Sequence, residues 1–382
     1  MRHWQSVELG SVLRKSDRWI TIDPDATYQE VTVRLKGKGV VSRGFRQGIE
    51  MGGDRRLEVC PGQFILSRID ARHGASGIIP AELAGAVVTN DFPVFDCDES
   101  RLRPRYLSWL SKTEAFVEAC RTTSEGTTNR VRLREELFSR IAIVVPPVIE
   151  QDQVVARIEA VTTRLDEARR LRQEIQGDAK ALLHSVFHRL IQGAAYRPLA
   201  EVAPIVRRPV AIELDGVYPE LGARSFGKGL FHKPTLSGAD LDWQKLFRVH
   251  TGDLVISNIK AWEGAIAVAG EADHGRVGSH RYITCVARDG IATPEFLCFY
   301  LLTNEGIEQV QGASPGSADR NRTLAMGRLE QLIVPVPTIE KQREFSTLQV
   351  KVTAIQQTQA ANQPELDALL PAVLDKAFKG EL

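Results

Sequence analysis

Two short segments of the chain carry side chains suited to reading nucleic-acid bases. Each alternates small or apolar residues with groups that hydrogen-bond, carry charge or stack, namely Arg68, Asp70 and Arg72 in the first and Asn258, Lys260 and Trp262 in the second. Arginine pairs bidentately with guanine, asparagine pairs with adenine, and an acidic group accepts a hydrogen bond from cytosine. The alternation predicts a strand over residues 67–72 with one base-reading face and one structural face. A solvated strand surface is the alternative interpretation.

Further cations accompany these segments. A Gly-Lys-Gly sequence centred on Lys38 recurs around Lys228, and an Arg-x-Arg pair follows later in each half. Paired guanidinium groups beside a polar turn suit phosphate binding, although salt bridges on a helix surface explain them about as well. The predicted DNA contacts outside the two alternating segments are Lys38, His73, Arg130, Arg132, Lys228, Arg320 and Arg322.

Enzymatic interpretations find less support in the residues. The stretch Gly222–Lys228 resembles a phosphate-binding loop, but Gly229 stands where Ser or Thr would hold magnesium. A tight turn or a backbone–phosphate contact shared by both halves is therefore favoured over an ATPase. His73 is replaced by Glu263 in the other half, and neither an Asn-Pro-Pro-Tyr nor an Asp-Pro-Pro-Tyr methyltransferase motif is present. We predict a chain with no catalytic residues and no metal site.

These residues lie in a sequence that is internally duplicated. Gly37–Gly39 recurs at Gly227–Gly229, and residues 67–74 match residues 257–264, with 190 positions between partners. This period far exceeds that of solenoid repeats, so each copy is large enough to bury its own core. The sequence predicts mixed α/β domains at residues 1–148 and 194–338, each followed by a long helix, at residues 149–193 and 339–382.

Each long helical segment places apolar residues at alternating steps of three and four, which is typical of a coiled-coil seam. The predicted seam comprises Ile158, Leu165, Ile175 and Leu182 in the first helix and Leu348, Val352, Ile355, Leu366 and Leu369 in the second. Connectivity makes paired helices antiparallel, with approximate two-fold symmetry between the copies. Pro364 is expected to interrupt the second helix, and Pro371 could do so again. Two separate surface helices are the alternative.

Apolar runs that end in proline mark the start of each helix. Residues 141–147 and 332–337 predict strands closed by proline, which cannot donate to a sheet ladder. Glu150-Gln151 follows the first run, whereas Glu340-Lys341 stands 190 positions later. On this register the second helix start departs from the first.

The composition is that of an ordinary soluble globular protein, with 43% hydrophobic and 25% charged residues and a net charge of +1. A nucleic-acid binder of this charge must concentrate its cations on one surface. The first residues lack the apolar core of a signal peptide, and we expect no membrane segment. The five cysteines form no Cys-x-x-Cys pair, which argues against disulfides or zinc and indicates the cytoplasm.

In this arrangement the chain resembles the specificity subunit of a type I restriction-modification system along nearly its full length. The residues that carry the resemblance are Gly222–Gly229, Ala261–Ala265, the Pro-x-Pro…Glu start of each helix, and the endings Ala181–Ser185 and Ala377–Leu382. The resemblance implies an α+β fold with two target-recognition domains separated by two long helices that form an antiparallel coiled coil. Each domain would read one half of a split double-stranded DNA site, and the helices would fix the unread gap.

The resemblance also implies partners. Two modification subunits would bring S-adenosylmethionine and methylate adenine, and restriction subunits would use ATP with Mg²⁺ to translocate and cut DNA. The chain itself would then need no cofactor. The alternatives are a recognition module of another phage-defence or fused restriction system, and a protein-binding scaffold without DNA whose surface would lack a continuous basic band.

Overall fold

Two compact units make up the chain, whose computed structural model describes residues 4–125, 131–241, 244–316 and 322–382. Unit 1 comprises Met1–Arg172 together with Ala361–Leu382, and unit 2 comprises Gln173–Ala360. Unit 1 is therefore built from two separate parts of the sequence, because residues 361–382 pack within it.

The regular elements of the first half are short strands followed by helices. The strands are β1 (Gln5–Glu8), β2 (Leu13–Lys15), β3 (Trp19–Thr21), β4 (Thr27–Val33), β5 (Val40–Gln47), β6 (Arg55–Glu58), β7 (Phe64–Leu66), β8 (Ser76–Ile78), β9 (Val87–Val88), β10 (Val94–Cys97), β11 (Ser124–Glu125), β12 (Arg132–Leu133) and β13 (Ala142–Val145). The helices are α1 (Pro104–Leu110), α2 (Glu114–Thr122), α3 (Glu135–Phe138) and α4 (Val148–Ile191).

The second half repeats this order. Its strands are β14 (Ala195–Pro198), β15 (Val217–Ala223), β16 (Leu230–Ser237), β17 (Leu246–Arg248), β18 (Leu254–Ser257), β19 (Ile266–Val268), β20 (Val277–Ser279), β21 (Tyr282–Cys285) and β22 (Ile333–Val336). Its helices are α5 (Leu199–Val202), α6 (Pro294–Leu301), α7 (Asn304–Gly312), α8 (Met326–Glu330), α9 (Ile339–Ala361) and α10 (Gln363–Phe378).

The two units share a sheet topology that is mostly antiparallel. In unit 1 one sheet has the order β3-β6-β9-β4-β5 and another β2-β10-β7-β8, while unit 2 has the orders β16-β15-β20-β17 and β19-β18-β21. A parallel contact recurs at the same place, between β4 and β9 through Glu30 and Val87 and between β15 and β20 through Glu220 and Val277. The predicted mixed architecture is confirmed in both units.

Local sequence explains where the helices of each unit begin. α1 and α6 start at Pro104 and Pro294, where the missing amide leaves no hydrogen bond unmade. Thr113 caps α2 through a 3.2 Å hydrogen bond from the Phe116 amide, and Thr303 caps α7 in the same way. The helices α1, α2, α6 and α7 pack their apolar faces against the sheets, where each unit has its main core.

The predicted antiparallel pairing of the long helices is confirmed within each unit. In unit 1 the Arg157 guanidinium donates to Leu382 O at 2.5 Å, and Arg169 donates to the Asp367 carboxylate at 3.3 Å. In unit 2 the Phe187 and Phe345 ring centroids lie 5.4 Å apart, and Gln176 Nε2 lies 3.3 Å from Gln359 Oε1. In both units, residue numbers therefore rise along one helix where they fall along its partner, so the paired helices run antiparallel.

Prolines affect the second helical segment in two ways. The segment breaks at Asn362, and Pro364 occupies the first turn of α10, so the predicted interruption there is confirmed. Pro371 lies inside α10, which continues through it. Proline lacks an amide proton, so α10 has one backbone hydrogen bond fewer at this point.

The predicted seam contains a buried set and an exposed set. Buried or partly buried are Ile158, Leu165, Leu348, Val352 and Leu366. Between 46% and 50% exposed are Ile175, Leu182, Ile355 and Leu369. Within the described residues, no helix combines the length and the apolar composition that crossing a membrane requires.

A buried glutamine fixes the start of α4 to unit 1. The Gln151 side chain is fully buried, and its Oε1 accepts a hydrogen bond from the Arg103 amide at 2.8 Å. Its Nε2 donates to the carbonyls of Arg101 and Pro146, at 2.7 and 2.8 Å. The carboxamide thus ties the loop before α1 to the end of β13.

Gln342 makes the same three hydrogen bonds in unit 2. It is fully buried, accepts from the Thr293 amide at 2.9 Å, and donates to the carbonyls of Ile291 and Pro337 at 2.9 and 2.8 Å. It lies 191 positions after Gln151, so the copies differ by one residue before this point. The expectation that the second helix start lacks this glutamine is wrong, because it assumed a constant step of 190.

Replacing Gln151 with alanine should lower the free energy of unfolding by about 1–3 kcal/mol, because the substitution leaves one amide and two carbonyl groups buried without partners. Urea denaturation of the full chain measures the change. Gln153→Ala, at an exposed position on the same helix, should stay within about 0.5 kcal/mol of the unsubstituted chain. Equal effects of the two substitutions would contradict this role for Gln151.

Candidate nucleic-acid interface

In each unit the tip of a hairpin rests on a turn that follows a central strand. We call this the tip–turn junction, formed by residues 34–39 and 67–74 in unit 1 and by residues 224–229 and 257–264 in unit 2. The docking bonds run from the amides of Lys36 and Gly37 to the carbonyls of His73 and Gly74, at 2.8 and 2.9 Å, and from the amides of Phe226 and Gly227 to the carbonyls of Glu263 and Gly264, both at 2.8 Å. The predicted Gly-Lys-Gly turn is confirmed at both tips.

Glycine is the favoured residue at the second docking position of each tip. Gly37 and Gly227 both have φ of 63°. A Cβ on Gly37 would lie 2.8 Å from Lys112 Cγ, and a Cβ on Gly227 would lie 2.7 Å from Leu302 Cδ1. Both the backbone conformation and the close approach therefore disfavour a side chain at these two positions.

The strand predicted over residues 67–72 is wrong. β7 ends at Leu66, and Ala71–His73 forms a short 3-10 helix. Ser67 causes the change, because its side chain accepts a 3.2 Å hydrogen bond from the Asp70 amide and its carbonyl accepts one from the Ala71 amide at 2.8 Å. In unit 2, β18 ends at Ser257 and Ala261–Glu263 forms the equivalent 3-10 helix.

Exposure in the turn therefore does not follow the two-residue alternation of a strand. Ser67 and Ala71 are buried as predicted for a structural face, but Ile69 is 38% exposed. The polar residues Arg68, Asp70 and Arg72 are all half-buried. The turn presents its side chains around a bend instead of on one flat face.

The structure brings most predicted residues of unit 1 to one junction. Lys38 is exposed at the tip, and His73 is exposed on the turn. Asp70 and Arg72 are half-buried beside it, and Arg72 Nε is buried without a hydrogen-bond partner. Arg130, like Arg320 in unit 2, lies outside the described residues.

Arg68 belongs to an ion cluster at the edge of the unit 1 junction. Its guanidinium bonds Glu135 Oε1, and Lys15 Nζ lies 2.6 Å from Glu135 Oε2. Burial, followed by the charge of Arg68, lowers the pKa of Lys15. One carboxylate therefore holds two cations, and Arg68 is engaged within the protein.

The segment that carries Arg132 reaches the same edge. The Leu133 amide donates to the Arg68 carbonyl at 2.8 Å, and the Leu324 amide donates to the Asn258 carbonyl at 2.7 Å. These leucines are 191 positions apart, so Arg132 aligns with Thr323. The alignment of Arg132 with Arg322, predicted from a step of 190, is off by one residue. Arg132 Nη1 lies 3.4 Å from Asp91 Oδ1.

In unit 2 the predicted residues surround an aromatic ring. Lys260 Nζ and Arg322 Cζ lie 5.1 and 5.2 Å from the centroid of Trp262, within the range of cation–π attraction. Gln311 Nε2 donates to the Trp262 carbonyl at 3.2 Å. Asn258 adjoins them, with a buried Oδ1 that has no hydrogen-bond partner.

Glu263 is the acidic group of this junction, and its charge is offset locally. Lys260 Nζ lies 2.7 Å from Glu263 Oε1, and Ser225 Oγ donates to Glu263 Oε2 at 2.8 Å. The hydrogen bond from Lys260, then that from Ser225, lowers the pKa of Glu263. The carboxylate thus stays ionised and ties the turn to the tip that carries Lys228.

Sequence reasoning missed one residue at each tip. Lys36 and Phe226 have φ of 59° and 63°, and among the described residues no other non-glycine residue has a positive φ. Phe226 is 73% exposed, with Lys228 Nζ 5.7 Å from its ring centroid. The duplication aligned these two positions directly before the matched glycines, which is the signal that could have found them.

Solved structures share this fold along the whole chain. The HsdS subunit from Thermoanaerobacter tengcongensis is 22% identical over 100% of this chain and 98% of its own, with a TM-score of 0.66. A chain from a structure concerning complex assembly and conformational transition of the type I R-M system is 22% identical over 100% and 99%, with a TM-score of 0.71. No protein-family model matches the sequence, and comparison with curated proteins gives no significant match. The predicted fold class is confirmed.

Glycine at position 226 should stabilise the chain relative to alanine there. Phe226→Gly should exceed Phe226→Ala by about 1 kcal/mol in free energy of unfolding, because a left-handed backbone disfavours any Cβ. At Leu214, which is 80% exposed and lacks a positive φ, the same pair should give the opposite sign. Urea denaturation measures both pairs, and the same sign at both positions would contradict the assignment of strain to residue 226.

Proposed function

We propose that the chain is the sequence-specific DNA-recognition subunit of a type I restriction-modification complex. One observation carries the proposal: the two tip–turn junctions share their backbone docking but differ in the side chains they display. Unit 1 displays Arg72 and His73 where unit 2 displays Trp262 and Glu263. Two modules that read different base sequences on a common frame require that combination.

The charge distribution supports DNA as the ligand. The chain has a net charge of only +1, yet Lys228, Lys260 and Arg322 all lie at the unit 2 junction. Lys260 offsets the charge of Glu263 there. Cations concentrated beside an aromatic ring suit both phosphate neutralisation and base stacking. The fold shared with HsdS supports the same role.

In this proposal each unit reads one half of a split double-stranded site, and the paired helices set the gap between the halves. Two modification subunits bind S-adenosylmethionine and methylate the DNA, and restriction subunits use ATP and Mg²⁺. The present chain recognises DNA, carries no catalytic residue, binds none of these cofactors itself and acts in the cytoplasm.

Salt dependence distinguishes this function from a protein-binding scaffold. The full chain, alone or with modification subunits, should bind random duplex DNA with an affinity that falls steeply as salt rises. Lys228→Ala should reduce the slope of log affinity against log salt by about one. Lys351→Ala, at an exposed lysine on α9, should leave the slope unchanged. Absence of binding even at low salt would favour the scaffold.

Lengthening the helices should lengthen the unread gap. Seven residues inserted after Arg172 in α4 and seven after Ala360 in α9 add about 10.5 Å of helix, equivalent to about three base pairs. Methylation mapping in a host that carries the modification subunits measures the gap. The same insertion in the turn at Asp289 serves as control, and an unchanged gap would show that the helices do not measure distance.

A further inference from the structure

The two residues missed at the hairpin tips occupy the same position of the duplicated frame. Lys36 and Phe226 both have left-handed backbones, with φ of 59° and 63°. Their amides donate to His73 and Glu263, so the docking itself imposes the conformation. Glycine would adopt this conformation without strain. The presence of a larger side chain there at both tips therefore points to a function that outweighs the backbone strain.

Phe226 contributes nothing to a core. The ring is 73% exposed, and the backbone beneath it is fixed by its own amide bond and by that of Gly227, both 2.8 Å long. A large apolar group is thus held in solvent on a rigid tip. Such a group is stabilised when it is buried against an apolar surface of a ligand.

The charges of the unit 2 junction indicate a polyanionic ligand. Lys228 Nζ lies 5.7 Å from the Phe226 centroid. On the docked turn, the Trp262 centroid lies 5.1 Å from Lys260 Nζ and 5.2 Å from Arg322 Cζ. Glu263 is already bonded by Lys260 and Ser225. An exposed apolar ring on a junction that also carries Lys228, Lys260 and Arg322 matches duplex DNA, whose apolar base faces lie between two lines of phosphates.

We propose that Phe226 is a wedge that inserts at a base step of the half-site read by unit 2, while Lys228 and Arg322 contact the flanking phosphates. This rests on the proposed function of DNA recognition. Apolar side chains inserted at a base step partly unstack it and kink the duplex, and the sequence dependence of that deformation contributes to specificity.

The first unit is built differently at the equivalent point. Lys36 replaces the ring, so the unit 1 tip carries three cations, Arg34, Lys36 and Lys38. Such a tip suits phosphate contact and does not unstack bases. We therefore expect the two half-sites to respond differently to binding, with distortion confined to the half read by unit 2.

The experiment uses the full chain with duplexes recovered by binding from a randomised pool. In these complexes, permanganate reports unstacked thymines and diethyl pyrocarbonate reports unstacked adenines. We expect a reactive step in one half-site only. Phe226→Ala should abolish that reactivity and weaken binding roughly tenfold, with no change in the salt slope, because an apolar ring neutralises no phosphate.

Two further variants separate the wedge from general effects. Phe226→Lys, which gives unit 2 the tip of unit 1, should steepen the salt slope by about one without restoring the reactive step. Leu214→Ala removes an exposed apolar residue near the opposite end of the same hairpin and should match the unsubstituted chain in reactivity, affinity and slope.

The outcomes distinguish the wedge from the underlying function. If the chain recovers duplexes but no step becomes reactive, or if Phe226→Ala keeps both reactivity and affinity, the wedge is excluded while DNA recognition stands. If Leu214→Ala reproduces the loss seen for Phe226→Ala, the effect is not specific to the tip and the wedge is again excluded. If no duplex is recovered at low salt, DNA recognition fails and the wedge fails with it.

Discussion

The structure depends on main-chain docking of each hairpin tip onto its turn. Two amide-to-carbonyl bonds of 2.8–2.9 Å hold the tip in each unit. Because these bonds use only backbone atoms, they place no demand on the side chains of Arg72 or Trp262 beside them. Side chains can then change freely between the copies while the geometry stays fixed. Under the proposed function, this separation of a fixed backbone from variable side chains lets the two units display different recognition surfaces.

A buried glutamine fixes the start of the long helix in each unit. Gln151 and Gln342 make the same three hydrogen bonds in their own units. A buried carboxamide tolerates little displacement, because each lost partner leaves a desolvated group behind. The helices therefore leave both units in the same way, although the copies differ in length by one residue.

Much of the fold could be predicted from sequence because it rests on local physics or on repetition. The duplication gave the paired units, the three-and-four spacing gave the helices, and Pro364 marked the helix break. The strand predicted from Ser67 failed because a serine side chain closed a turn that alternation alone cannot reveal. Lys36 and Phe226 were missed since their left-handed backbones arise from contacts with residues 37 positions away in sequence. Side-chain pairing, such as that of Arg68 with Glu135, likewise requires coordinates.

The contribution of α10 to unit 1 has a consequence for synthesis on the ribosome. Leu374 and Ala377 are buried in the unit 1 core, and the Phe378 ring lies 5.1 Å from that of Tyr106. All of unit 2 is translated before these residues are. Unit 1 therefore cannot complete its core until residues 361–382 have been made, although its first 172 residues are translated ahead of unit 2.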